Sequence, residues 1–113
     1  MPMTELIQRL EAAGVPVDDL VKIAMEDVDP AEFTDFDLDP FWNDRPVPFL
    51  FTSFGATRTI SAPHMIATLL HHLEILEGQD IMLIGSKGGY LAAIIDRMVG
   101  KNGTVTIIEP HEE

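Results

Sequence analysis

The chain has 113 residues, enough for one domain with a modest core, and 46% of them are apolar, too many for a disordered polymer. It contains no cysteine, which excludes disulfides and thiolate metal sites, and its formal charge of -12 argues against nucleic acid as a partner, since phosphate backbones are bound by clustered Lys and Arg. No apolar run approaches the roughly 18–20 residues of a membrane span and no basic-then-apolar signal segment opens the chain, so a cytoplasmic protein is expected, with no membrane partner.

The charge is uneven. Residues 1–44 hold 12 acids against Arg9 and Lys22, whereas residues 45–113 hold 7 acids against 5 bases. A solvated surface accounts for the acidic half. Residues 4–13, TELIQRLEAA, predict a short helix with Thr4 as cap, Leu6, Ile7 and Leu10 on one face, and Gly14 as terminator. Residues 18–26 predict a second helix, with an N-cap oxygen from Asp18 and Leu20, Ile23 and Ala24 at helical spacing. Pro30 stops its continuation. The stretch that follows is dense in Pro and Asp but carries Phe33, Phe36, Leu38, Phe41 and Trp42. Those rings predict an ordered wrap plugged into a core, since a flexible linker would lack them.

FLFTSFGATRTIS is β-rich and predicts two short strands around Gly55. Residues 62–76 predict the clearest helix, with an apolar stripe of Met65, Ile66, Leu69, Leu70, Leu73 and Leu76. Ser61 is its expected N-cap, Pro63 suits its first turn, and Gly78 is its expected end. Ile81–Ile84 form a short apolar run, expected to be a strand buried on both faces. Residues 90–99 then predict a helix ended by Gly100, and residues 103–109, GTVTIIE, a second β-branched strand. Strand, glycine turn, helix, strand is a βαβ unit, which sets its strands parallel and holds ligands at their carboxyl ends.

The turn itself, GSKGG, leads into a helix N-terminus, where free N–H groups favour a negative or polar group. Alone, it serves equally well as a simple change of chain direction. Glu109 ends the second strand, where an acid can accept both hydroxyls of a ribose, or can be merely a surface acid near a chain end. Turn and acid together describe an adenosine-type pocket. Ser61 has two readings, a helix cap and a hydroxyl in the crevice. His64, His71 and His72 lie on or near one helix without metal-ligand spacing, so no metal is expected.

TISAPHM before a long amphipathic helix, then IMLIGSKGGYLAAII, then TVTIIE, resembles the protein-L-isoaspartate O-methyltransferases. Their pattern is approximately TISxPxM, helix, VLEIGTGSGYxAA, helix, and a strand ending in Glu. WNDRPVP is similar to the family's YEDRPLP, and LIQRLEAAGV (6–15) and LVKIAMEDVDPAEFTD (20–35) look like its leading helices. The resemblance implies an α/β fold: an N-terminal helical segment followed by an incomplete Rossmann-like methyltransferase unit of helix, strand, helix and strand. It divides the chain into a helical, aromatic-rich wrap (1–45) and a partial Rossmann-like region (46–113), together one structural unit.

The same resemblance implies S-adenosylmethionine as cofactor and an isoaspartyl-containing protein or peptide as substrate. Gly85, Ser86, Gly88 and Gly89 would lie under the cofactor, and Glu109 would hold its ribose. Ser61 would be the catalytic-site hydroxyl, with Thr59 and His64 facing the substrate carboxylate. Two departures weaken the cofactor expectation. Leu83 stands where the family has an acid, and Lys87 stands where it has the middle glycine, placing a positive charge beside a sulfonium. Arg58 also replaces part of a glycine–glutamine pair. The family needs about another hundred residues for the rest of its sheet, and two parallel strands do not make a stable one. The expectation is therefore the N-terminal portion of a longer enzyme, inactive alone, or a chain that assembles with itself or a partner. The alternatives are a non-catalytic methyltransferase-like domain for assembly, or an anionic-nucleotide site with Lys87 on a phosphate.

Overall fold

The computed structural model describes residues 2–51, 55, 57–85 and 88–109. In chain order it runs α1 (Pro2–Ala12), α2 (Asp19–Asp27), a 3-10 turn (Pro30–Glu32), α3 (Asp39–Trp42), β1 (Val47–Phe51), β2 (Thr57–Ile60), α4 (Pro63–Leu73), β3 (Asp80–Ile84), α5 (Tyr90–Val99) and β4 (Thr104–Ile108). No helix among the described residues is long and apolar enough to cross a membrane.

The strands form two separate pairs. β1 and β2 make an antiparallel hairpin, with an irregularity between Pro48 and Leu50 that leaves Phe49 out of register. β3 and β4 run parallel, from Asp80 opposite Thr104 to Ile84 opposite Ile108. Two contacts fix where this ladder starts. The Thr104 hydroxyl donates to Asp80 Oδ1 at 2.8 Å, and the Thr104 amide donates to the Gln79 carbonyl at 3.1 Å.

One apolar cluster holds the helices together. Leu6, Ile7 and Leu10 of α1, Val21 and Met25 of α2, Phe41 of α3 and Ile94, Ile95 and Met98 of α5 all lie within it. Residues on both sides of position 45 share this core, since α2 packs directly against α5. Trp42 is half-buried beside Phe41, with ring centroids 5.1 Å apart, and Arg9 Nη2 donates to the Trp42 carbonyl at 2.7 Å. The Pro- and Asp-rich stretch is thus an ordered wrap, as its rings predict.

Several local expectations are corrected. α1 begins at Pro2, so Thr4 sits inside the helix and does not cap it. In α2, Ile23 is 58% exposed, and Val21, Ala24 and Met25 are the residues that face the core. Asp18 stands at the N-cap position of α2 but makes no side-chain cap. Its carboxylate instead meets His71 Nδ1 on α4, at 3.1 and 3.2 Å. α4 stops at Leu73, because Glu74 turns into the left-handed region (φ 50°) and the Leu76 amide is taken by Gln79 Oε1 at 2.9 Å. Gly78 therefore belongs to the turn after the helix and does not end it.

The largest correction concerns β3. Ile81 and Leu83 are half-buried and pack on the core with Val105, but Met82 is 61% and Ile84 73% exposed. Side chains alternate across a strand, so α5 covers one face of the β3–β4 pair and nothing among the described residues covers the other. Burial on both faces, expected from the apolar run, is not what the chain achieves by itself.

Candidate functional site

The site is built where β3 leaves the sheet. The Gly85 amide donates to the Ile108 carbonyl at 2.8 Å, extending the parallel ladder one residue past β3. That bond sets the start of the glycine turn beside the end of β4, and hence beside Glu109, which is exposed at the carboxyl edge of the pair. Gly85, Gly88 and Gly89 all have positive φ (74°, 88° and 95°), a region that disfavours any residue with a Cβ. Gly89 is the N-cap of α5, and its carbonyl accepts the Ala93 amide at 2.9 Å. Ser86 and Lys87 lie outside the described residues.

A crevice of about 220 Å³ opens beside Gly85. Thr59, Ile60 and Ser61 form one wall, Met65, Ile66 and Leu69 of α4 a second, and Tyr90 and Leu91 the start of α5. Ligand pockets usually span roughly 300–1,000 Å³, so this one takes part of a nucleoside-sized group and is open beyond it. Met65 (53% exposed) and Leu69 (42% exposed) belong to the apolar stripe predicted for this helix. They are solvent-accessible because they line this crevice.

Of the residues singled out in the sequence, the fold brings Thr59, Ser61 and Gly85 to one crevice, with Glu109 adjacent through the Ile108 contact. Gly88 and Gly89 lie on another side of the turn. A methyl group on Gly88 would meet the Phe49 ring at 2.9 Å, and one on Gly89 would meet the Phe33 ring at 3.6 Å. His64 is exposed and outside the crevice lining, with its Nδ1 3.0 Å from Asp44 Oδ1. The same Asp44 oxygen accepts the His64 amide at 2.7 Å. It therefore performs the capping expected of Ser61, while the N-cap position itself is Ala62.

Tyr90 anchors the turn from behind. Its side chain is buried, edge-on to Phe33 (centroids 5.6 Å apart) and to Phe41 (5.7 Å). The hydroxyl is buried and has no hydrogen-bond partner among the described residues. Burial pushes its pKa upward, with the charge of Asp29 adding to the effect.

Sequence reasoning did not find Asp44 or Phe49. Asp44 had a signal, its place in the WNDRPVP segment. The role of Phe49 depends on a strand irregularity that a single sequence does not announce.

The donor set suits an adenosyl group in part. A Cβ at Gly85 would meet nothing within 4 Å, so the floor of the turn is open to a ligand on that side. Thr59 and Ser61 supply hydroxyls and Glu109 a carboxylate. Against this, Leu83 packs on the core where an acid is part of the family pattern.

Comparison with known proteins bears on the whole chain. The family model described as protein-L-isoaspartate(D-aspartate) O-methyltransferase matches residues 1–113. A protein-L-isoaspartate O-methyltransferase of Methanococcoides burtonii is 39% identical over 105 residues, covering 92% of this chain and 48% of that protein. One from Methanococcus aeolicus is 34% identical over 108 residues, again covering 48% of the relative. The chain thus spans about half the length of the curated relatives it matches. A solved protein-L-isoaspartate O-methyltransferase superposes with a TM-score of 0.82 over 97% of this chain and 34% of its own, at 24% identity, a likeness of fold. A Plasmodium falciparum structure of the same description, in complex with S-adenosyl-L-homocysteine, superposes with a TM-score of 0.74 at 31% identity, covering 96% of this chain and 49% of that one. The architecture is accordingly α/β, an N-terminal helical segment joined to part of a Rossmann-like methyltransferase unit.

Proposed function

The chain belongs to the protein-L-isoaspartate(D-aspartate) O-methyltransferase family, and from that premise we propose that it forms the N-terminal portion of an S-adenosylmethionine-dependent enzyme that methylates the free carboxylate of isoaspartyl residues in damaged proteins. The observation that carries this reading is the Gly85–Ile108 hydrogen bond. It sets Gly85 beside the end of β4 and so beside Glu109, and Gly85 shares the crevice lining with Thr59 and Ser61, which supports this reading.

When bound, the cofactor supplies an activated methyl group. The chain's own task is positioning. Gly85, Ser86, Gly88 and Gly89 would hold the cofactor at the glycine turn, and Glu109 would accept hydrogen bonds from its ribose hydroxyls. Thr59 and Ser61 orient the substrate carboxylate from the facing wall. An ionised carboxylate needs no general base, so alignment supplies most of the catalysis. Ile60, Met65 and Leu69 supply the apolar part of the crevice wall. His64, held on Asp44 outside the crevice lining, is left with a structural role at the start of α4.

The reading takes the cytoplasm as the setting. It also takes the uncovered face of the β3–β4 pair, with Met82, Ile84 and Ile108, as the surface that a C-terminal half or a second copy completes. A second reading, a non-catalytic assembly domain, is favoured by one observation: Leu83 is packed on the apolar core where the family pattern has an acid.

Calorimetric titration with S-adenosylhomocysteine, on the chain extended by the C-terminal half of a relative, tests the enzymatic reading. Binding, with methyl transfer to an isoaspartyl peptide, supports it. An extended chain that folds and neither binds nor transfers overturns it in favour of the assembly reading.

A further inference from the structure

We propose that Phe49 is a positioning residue for the glycine turn, the centre of an aromatic clasp that locks the β1–β2 hairpin to the cofactor-side bend. The inference rests on the reading of that bend as the cofactor cradle. Three contacts carry it. The irregularity between Pro48 and Leu50 takes Phe49 out of the hairpin register, and such bulges re-aim a side chain. The re-aimed ring fills the space a side chain at Gly88 would need, with ring carbons 2.9, 3.0 and 3.1 Å from an ideal Cβ. Beside it, Phe33 covers Gly89 and stacks edge-on with Tyr90, the next two residues of the same bend.

The clasp is closed by a hydrogen bond away from the rings. Thr34 Oγ1 donates to the Pro48 carbonyl at 2.7 Å, joining the residue after Phe33 to the residue before Phe49. Wrap, hairpin and glycine turn are therefore tied pairwise. This arrangement has a consequence for the reaction. Thr59 and Ser61 stand on or next to the hairpin's second strand, and they line the crevice together with Gly85, where the bend begins. The Phe49–Gly88 contact ties the later part of that bend to the hairpin that carries Thr59, so the ring acts on the position of the bend relative to the hairpin. The wrap is thereby part of the site as well as part of the core.

The test uses two readouts, amide exchange on the 113-residue chain and calorimetry on that chain extended by the C-terminal half of a relative. In backbone amide exchange, Phe49→Ala should speed exchange at residues 88–90 by about tenfold while leaving the buried amides of α1 and α2 unchanged. Thr34→Val, which keeps both rings and loses only the closing bond, should act in the same place, by about threefold. In calorimetry with S-adenosylhomocysteine, Phe49→Ala should weaken binding by about tenfold. Gly88→Ala should cost less in a Phe49→Leu background than in the native one, because the shorter side chain relieves the clash; that difference isolates the contact from the backbone strain common to both. Unchanged exchange at 88–90 in both variants overturns the proposal. So does native binding that survives Phe49→Ala intact. If the extended chain without these substitutions binds no S-adenosylhomocysteine, the cofactor reading is what fails, and the exchange result alone decides the clasp.

Discussion

The Asp44 carboxylate accepts the backbone amide of His64 across 2.7 Å and thereby caps α4 from 20 residues away. Asp44→Ala should therefore lower stability by about 1 kcal/mol, the usual worth of an N-cap, whereas Ser61→Ala should leave stability nearly unchanged. Urea denaturation of the two variants separates them. Equal losses would return the capping role to Ser61.

Tyr90 makes stability depend on alkaline pH. Its pKa is raised in the folded chain, chiefly by burial and further by Asp29, while an unfolded tyrosine ionises near 10. The neutral hydroxyl therefore favours folding fully below about pH 10, and that contribution is lost as pH rises through the folded value. Tyr90→Phe should flatten the decline. At neutral pH the same change removes a buried hydroxyl that lacks a partner, so it should not destabilise and should gain about 1 kcal/mol. Thermal melts from pH 7 to 11 check both statements.

Gly103 is constrained by space. A Cβ there would lie 2.5 Å from Val99 Cβ and 2.6 Å from the Gln79 carbonyl oxygen. Gly103→Ala must push α5 away from the start of β4, at a cost of roughly 1–3 kcal/mol. Gly78→Ala provides the contrast. A Cβ at Gly78 meets nothing within 4 Å, so its penalty comes from positive φ alone. Chemical denaturation of both variants gives the comparison.

The bare sheet face predicts association. Met82 and Ile84 are 61% and 73% exposed on adjacent positions of one face, next to Ile108 at 45%. Replacing Met82 and Ile84 by Thr keeps β propensity and removes apolar surface, so it should reduce self-association of the isolated chain in light scattering without lowering its helix content. Unchanged scattering would place the contact elsewhere, for example on the exposed Leu73 and Leu76.

Much of the fold was legible because most elements follow local rules. The helix at 90–99 closes at Gly100 as its pattern predicts, and two short strands do flank Gly55. What escaped is non-local. Asp18 reads as a helix cap, yet its carboxylate serves His71, 53 residues on. Periodicity finds the stripe on α4 but does not say which half meets the core and which half lines a crevice. A short apolar run does not reveal whether both sides of the strand have neighbours. In the site, motif order pointed to Thr59, Ser61 and Gly85, which line one crevice, and to Glu109 beside it, but equally to His64, Gly88 and Gly89, which lie outside that lining. Phe49 stayed hidden because a bulge, rather than a motif, aims its ring.

Apolar residues on both sides of β3 have a consequence for pairing accuracy. A slip of one position would exchange Ile81 and Leu83 for Met82 and Ile84 against α5, trading one greasy set for another, so hydrophobicity discriminates poorly between the two alignments. Fidelity then falls to the polar clip at the strand's entrance, where Thr104 grips Asp80 and the Gln79 carbonyl. A hydroxyl and a carboxylate at the sheet's far end thus govern whether the Gly85 amide reaches the Ile108 carbonyl.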